Sequence, residues 1–280
     1  MKLKSFFLLF LLFFAAISAQ GAVKVTPWTP VYVGVKQATA HIDGKHASVA
    51  YAVRIDLQAP GISFLASPHT GYKDSLSETP QQFAEKNHLQ LAINAGFFDP
   101  CCSVDPVEEK IVSLSISEGR VISPLWLTGQ YNEALLITQD NQATIETVTP
   151  QTDLSKIYTA VSGSAVIVKD GVNHGDENDL NKAAYGNPRT VVGLSRDRRY
   201  LYLVVIDGRK PGYSFGTTNT ESAAILLALG AYNALNLDGG GSTTLVREEA
   251  GKVVTVNKPS SGVERLVASS LGVHARSLGR

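Results

Sequence analysis

Apolar and polar positions alternate in short runs along most of the chain. Residues 49–57 follow the period of two expected of a half-buried strand, and 133–138 and 165–168 are compact apolar runs of strand length. The runs 190–194 and 200–206 flank the polar turn Arg196-Asp197-Arg198-Arg199 and predict a β-hairpin. Two segments break this pattern and predict helices. In the first, Thr79 caps, Pro80 suits the first helical position and Gln82 completes a capping box ahead of Phe83. In the second, Thr218 and Glu221 have the same capping spacing, and Gly230 supplies a left-handed stop. The near-continuous apolar run 222–229 between them predicts a helix buried on most sides against a sheet. Strands outnumbering a few helices predict an α+β fold, a strand-rich mixed-sheet domain with a few packed helices.

The pattern changes at the N-terminus. Lys2 and Lys4 precede an apolar run over 5–17, and the small residues Ser18, Ala19, Gly21 and Ala22 follow. This order reads as a secretory signal over residues 1–22, and its run is shorter than the roughly 20 residues of a spanning helix. An uncleaved anchor is the alternative. The expected mature protein is periplasmic or secreted, with no stable membrane anchor after cleavage. Residues 23–280 carry no low-complexity linker, long charge run or solenoid-period repeat, and are expected to form a single domain.

Composition narrows the classes further. The 280 residues hold 25 basic and 25 acidic side chains, and loss of Lys2 and Lys4 leaves 23 basic side chains, so the mature chain is slightly acidic. Nucleic acid is not an expected partner, because counterion release needs a basic surplus. An apolar fraction of 44% excludes a disordered chain, and two cysteines exclude a disulfide scaffold.

Chemistry concentrates where apolar runs end. Four segments finish in polar clusters: 91–99 with Asn94 and Asp99, 187–190 with Arg189, 204–209 with Asp207 and Arg209, and 235–244, Leu-Asn-Leu-Asp-Gly-Gly-Gly-Ser-Thr-Thr. A sheet that delivers these ends to one edge would build a site from distant parts of the chain. Gly239, Gly240 and Gly241 lack Cβ atoms, so their N–H groups could form an anion-binding concavity with the hydroxyls of Ser242, Thr243 and Thr244 added, and Asp238 at its rim. A tight turn capped by Asp238 is the structural alternative. Phe97 and Phe98 could wall a sugar face or belong to a core strand. Asp207-Gly208-Arg209 has a common turn composition, and Arg189 suits bidentate phosphate contact or an ordinary surface position. The six histidines are scattered without metal-ligand spacing.

The blocks 94–99, 189–193, 204–209, 216–230 and 236–244, with the closing block 257–265 (Asn-Lys-Pro-Ser-Ser-Gly-Val-Glu-Arg), resemble the signature blocks of the phosphodiester glycosidase family. The resemblance spans roughly residues 88–275, and its Asn-Leu-Asp-Gly-Gly-Gly-Ser-Thr-Thr block is quite specific. It implies a hydrolase that cleaves a sugar C1–O–phosphate bond and releases N-acetylglucosamine or a related sugar. Some bacterial relatives are associated with exopolysaccharide.

Under that resemblance Asp238 is the expected nucleophile or general base, with Asp207 or Asp99 as second carboxylate. Arg189 and Arg265 hold phosphate, and Asn94 and Asn236 orient sugar hydroxyls or carboxylates. Gly239, Gly240, Gly241, Ser242 and Thr243 complete the substrate-binding set. Such chemistry fits an oxocarbenium-like state, and a charged leaving phosphate depends less on a general acid than on cationic and N–H contacts. Glu221 is either an acid or simply the capping residue. The expected partner is a sugar-1-phosphodiester or glycan, and no cofactor is required. Two rival readings are a non-catalytic carbohydrate-binding or polysaccharide-assembly protein, and a metal-dependent phosphodiesterase holding a divalent cation through Asp99, Asp207 and Asp238. The adjacent Cys101 and Cys102 could bridge to each other or pair with another chain, and a rigid loop beside the site is the expectation.

Overall fold

A computed structural model describes residues 22–44, 46–129, 131–176 and 186–279. The candidate signal over 1–22 lies outside these residues except for Ala22. Strands dominate, and the two α-helices sit at the expected places.

Both helix starts follow from local chemistry. At Pro80–Lys86 the Thr79 hydroxyl accepts from Gln82 N–H while the Gln82 side chain accepts from Thr79 N–H. At Asn219–Leu229, Thr218 and Glu221 make the same reciprocal pair, and Gly230 ends the helix at φ 104°. Burial of the second helix is narrower than its sequence suggests. Ser222, Ala223, Ile225, Leu226 and Leu229 are buried, whereas Ala228 is exposed and Leu227 partly so. One face meets the sheet and the other keeps contact with solvent, as a helical period demands even of an apolar run.

A nine-stranded sheet carries the molecule. Along it run Val23–Val25, Val35–Ile42, Ser48–Asp56, Tyr200–Ile206, Arg189–Leu194, Asn233–Asn236, Ala165–Lys169 and Val172–Asn173, with Thr29–Tyr32 paired to Val35–Ile42. Two five-stranded sheets and one three-stranded sheet complete the fold. Every described strand pair is antiparallel, so the mixed sheet expected from sequence is corrected. Parallel pairs need long crossovers, usually helical, and two short helices supply too few of them.

Alternation along Tyr200–Ile206 explains the layering. Leu201, Leu203 and Val205 join a core shared with Leu91 and Ile93 of one five-stranded sheet and Leu135 and Ile137 of the other. Tyr202, Val204 and Ile206 point to the opposite face, where they meet Ile225 and Leu226 of the second helix. Because both faces are covered, the strand is apolar throughout.

Antiparallel register sets the site. Arg189 opposes Ile206, and Asn236 opposes both Val191 and Ala165. The start of Arg189–Leu194, the end of Tyr200–Ile206, the end of Asn233–Asn236 and the start of Ala165–Lys169 therefore meet at one end of the sheet.

Candidate active site

A cavity of about 330 Å³ opens at that end. Its wall includes Arg189, Arg209, Arg265, Asn236, Asp238 and the backbone of Gly239, Gly240 and Gly241. Hollows of about 520 and 590 Å³ lie elsewhere, but neither joins a carboxylate to several guanidiniums. Chemistry rather than size singles out the smaller cavity.

Asp238 is the only carboxylate lining this cavity among the described residues. Its segment is pinned from three directions: Asp238 N–H donates to Ala95 O at 2.9 Å, Leu237 N–H to Thr190 O at 2.9 Å and Gly240 N–H to Pro188 O at 2.8 Å. Burial pushes the Asp238 carboxyl up to about 6, against the opposing effects of the Ser242 hydroxyl, the Arg265 charge and the Gly239 N–H. Arg265 Nη1 donates to Ser242 Oγ at 3.3 Å, so guanidinium, hydroxyl and carboxylate form a short chain.

The glycines make room for arginines. Gly240 has φ 61°, and a methyl group there would lie 3.3 Å from Arg209 Nη2. A methyl group on Gly241 would overlap the Arg265 guanidinium. Two cations thus close on the Gly240–Gly241 turn, a use of its missing Cβ atoms that the sequence alone does not reveal.

The other sequence candidates are distributed as follows. Arg189 and Asn236 line the cavity with Asp238 and Arg265, and Arg189 Nε donates to Thr217 O at 3.1 Å. Asn94, Ser242 and Thr243 lie behind the wall. Asn94 Nδ2 donates to Asp238 O at 2.7 Å, and its Oδ1 accepts from Thr190 Oγ1 at 2.6 Å and Thr244 N–H at 3.1 Å. It holds the Asp238 loop from behind and is not among the residues lining the cavity. Ser242 and Thr243 are buried, and Thr243 O accepts from Asn257 Nδ2 at 3.1 Å. Glu221 occupies its capping position.

Asp207 is buried and fully engaged away from the cavity. Its Oδ1 accepts from Asn257 Nδ2 at 2.9 Å, while Oδ2 accepts from Tyr213 Oη and Lys258 N–H, both at 3.0 Å. Burial raises its pKa and these donors, with the Lys210 charge, oppose the rise. The carboxylate ties the turn bearing Arg209 to the closing block bearing Arg265.

Asp99 is exposed on Phe98–Asp99, outside the cavity wall. Among the described residues no three His, Cys, Asp or Glu side chains gather as metal ligands, so Asp99, Asp207 and Asp238 are not arranged as a cation site. Cys101 and Cys102 are joined by a disulfide, and Cys101 Sγ lies 3.8 Å from Arg265 Nη1.

Beneath that loop Glu109 is buried with Oε2 lacking a protein partner. Burial pushes its pKa from 4.5 to about 7; Asp99 adds to the rise, whereas Ser103 and Lys73 oppose it. A folded-state value above the unfolded one means that the native state holds the proton more tightly. The resulting stability is fully present below about pH 4.5 and is lost as pH rises through 7. The melting temperature should fall across that window, and Glu109→Gln should flatten the fall; an unchanged pH dependence in the variant would remove Glu109 as its cause.

Sequence reasoning missed Arg209, Tyr131, Ser164, Asn187 and Asn219 as cavity residues. Arg209 was legible only as a turn residue, although Asn187 Oδ1 accepts from its Nη2 at 2.9 Å and orients it. Ser164 had a faint signal as the break between two strand runs. Tyr131, in a connecting loop, had none.

A sequence profile described as "Phosphodiester glycosidase" matches residues 87–274. No curated protein sequence matches the chain. Among solved structures, the zebrafish N-acetylglucosamine-1-phosphodiester α-N-acetylglucosaminidase catalytic domain, auto-inhibited by its pro-peptide, aligns with TM-score 0.64 and 19% identity over 91% of this chain and 88% of that one. A hypothetical protein from Synechocystis aligns at 0.59 and 16% identity, covering 89% of this chain and 64% of its own. A chain described as "Putative exported protein" from Burkholderia pseudomallei aligns at 0.59 and 16%, over 81% of this chain and 74% of that one. At these identities the structural likeness establishes the fold. No helix among the described residues is long and apolar enough to cross a membrane.

Proposed function

Because the chain belongs to the phosphodiester glycosidase family, we propose that residues 23–280 act as one exported catalytic domain that hydrolyses glycosyl-1-phosphodiesters of envelope or extracellular polysaccharide. The observation that carries this reading is Asp238, a carboxylate with a raised pKa, facing a cavity that also presents Arg189, Arg209 and Arg265.

In this mechanism the arginines bind the phosphodiester anion. Asp238 then acts as base, taking a proton from water as its oxygen attacks C1. The C1–O bond breaks with its electron pair leaving on the phosphate oxygen, giving a free sugar and a phosphomonoester. The leaving oxygen is already stabilised by the anion-binding groups, so one carboxylate can suffice. Desolvation makes Asp238 a stronger base than a solvated aspartate while leaving it ionised at neutral pH.

Incubation of sugar-1-phosphodiesters in ¹⁸O-water tests the reaction. Label in the sugar supports C1–O cleavage, label in the phosphate would show P–O cleavage, and saturable binding without product would leave a carbohydrate-binding protein. The pH profile tests the role of Asp238. Since the ionised form is the active one, kcat/KM should rise with pH through about 6. A fall above that pH would instead make Asp238 a general acid.

A further inference from the structure

The cavity is chemically divided. Asn236 stands at the end of the central strand Asn233–Asn236, with Arg189–Leu194 on one side and Ala165–Lys169 on the other. Arg189 and Arg209, the latter held by Asn187, lie on the first flank. Beside the second strand the lining includes the uncharged Ser164, Phe97 and Tyr131.

Register brings Tyr131 there. Glu133 opposes Gly163, so the loop before Glu133–Thr138 arrives beside Ser164. The Phe97 and Tyr131 rings lie 4.9 Å apart at 53°, forming an angled aromatic wall. Phe98 is buried in the core and takes no part. Tyr131 holds φ 59°, a left-handed conformation unfavourable for a bulky residue and one that concentrates at functional positions.

Asn236 supplies an independent signal. Its Nδ2 donates to Leu237 O at 3.1 Å and Ser164 Oγ at 2.9 Å. A carbonyl can only accept, so Leu237 fixes the amide orientation, and the buried Oδ1 is left without a protein partner. A buried acceptor on a cavity wall calls for a donor from a ligand.

We infer that Tyr131 is a specificity-determining residue for the sugar, its ring and that of Phe97 taking the C–H face of a pyranose while Asn236 Oδ1 accepts from a hydroxyl or amide N–H of the same ring. This deepens the sugar-phosphodiester reading and rests on it. Aromatic wall and amide recognise the sugar, and the guanidiniums recognise the phosphate.

Calorimetry with inorganic phosphate, glucose 1-phosphate and N-acetylglucosamine 1-phosphate separates these contributions. Tyr131→Ala should weaken the tighter-bound sugar phosphate about tenfold and leave phosphate unchanged, while Tyr131→Phe retains wild-type affinity. With a hydrolysed phosphodiester, Tyr131→Ala should raise KM and preserve kcat. Equal weakening of phosphate and sugar phosphate, no weakening of either, or a wild-type protein that does not prefer a sugar phosphate to phosphate would overturn the assignment. If the binding pattern holds but no sugar is released, the hydrolase reading fails and the sugar subsite stands.

Discussion

Asp238→Asn is expected to lower kcat for a sugar-1-phosphodiester by about 10³-fold or more, because in the proposed mechanism it removes the carboxylate that activates water. The fold should survive. The replacement preserves shape and one acceptor oxygen, and the loop is held by backbone bonds from Leu237, Asp238 and Gly240 together with the Asn94 side chain. Unchanged thermal melting combined with wild-type turnover would remove Asp238 from the mechanism. Loss of melting cooperativity would instead show that the carboxylate is structural. Asn236→Ala is a useful contrast, since it removes the proposed sugar contact while keeping the proposed base.

Gly241→Ala is the second large effect, expected to reduce kcat/KM by about 10²-fold with little change in melting temperature. The added methyl would meet the Arg265 guanidinium, the far end of a flexible side chain that can swing aside. Movement of Arg265 takes a cation away from the proposed phosphate site and breaks its hydrogen bond to Ser242. Gly239→Ala should behave differently, because its methyl would come within 2.7 Å of Pro188 O, a backbone atom that cannot yield cheaply. Kinetics and melting of the two variants separate their causes: position 241 should lose activity alone, and position 239 should lose stability too. Equal activity in Gly241→Ala and wild type would mean that Arg265 contributes nothing where it stands.

The glycine run was legible as a place of close approach, but not what approached it. Any consecutive glycines admit a ligand, a tight turn or a neighbouring side chain, and choosing among these requires knowing where residues 209 and 265 arrive in space. The same limit explains the three aspartates. Asp99, Asp207 and Asp238 all follow apolar runs, so local pattern gives them equal standing as catalytic carboxylates. Three-dimensional placement distinguishes them, with Asp99 in solvent, Asp207 bonded to Asn257, Tyr213 and Lys258, and Asp238 in the cavity wall.

Local chemistry was sufficient where the partners are near in sequence. The two capping boxes, the Gly230 stop and the hairpin joining 189–194 to 200–206 involve residues within a few positions or across one turn, so the sequence by itself determined them. It also determined the family, because the profile match over residues 87–274 rests on the amino-acid sequence alone. Only the tertiary structure decided that the described strand pairs are all antiparallel, that Asn94 braces the loop from behind, and that Tyr131 and Arg209 reach the same cavity from segments with little local signal. The physical reason is range. Caps and turns are satisfied by neighbouring backbone groups, whereas a site at the end of a sheet depends on register between strands far apart in the chain.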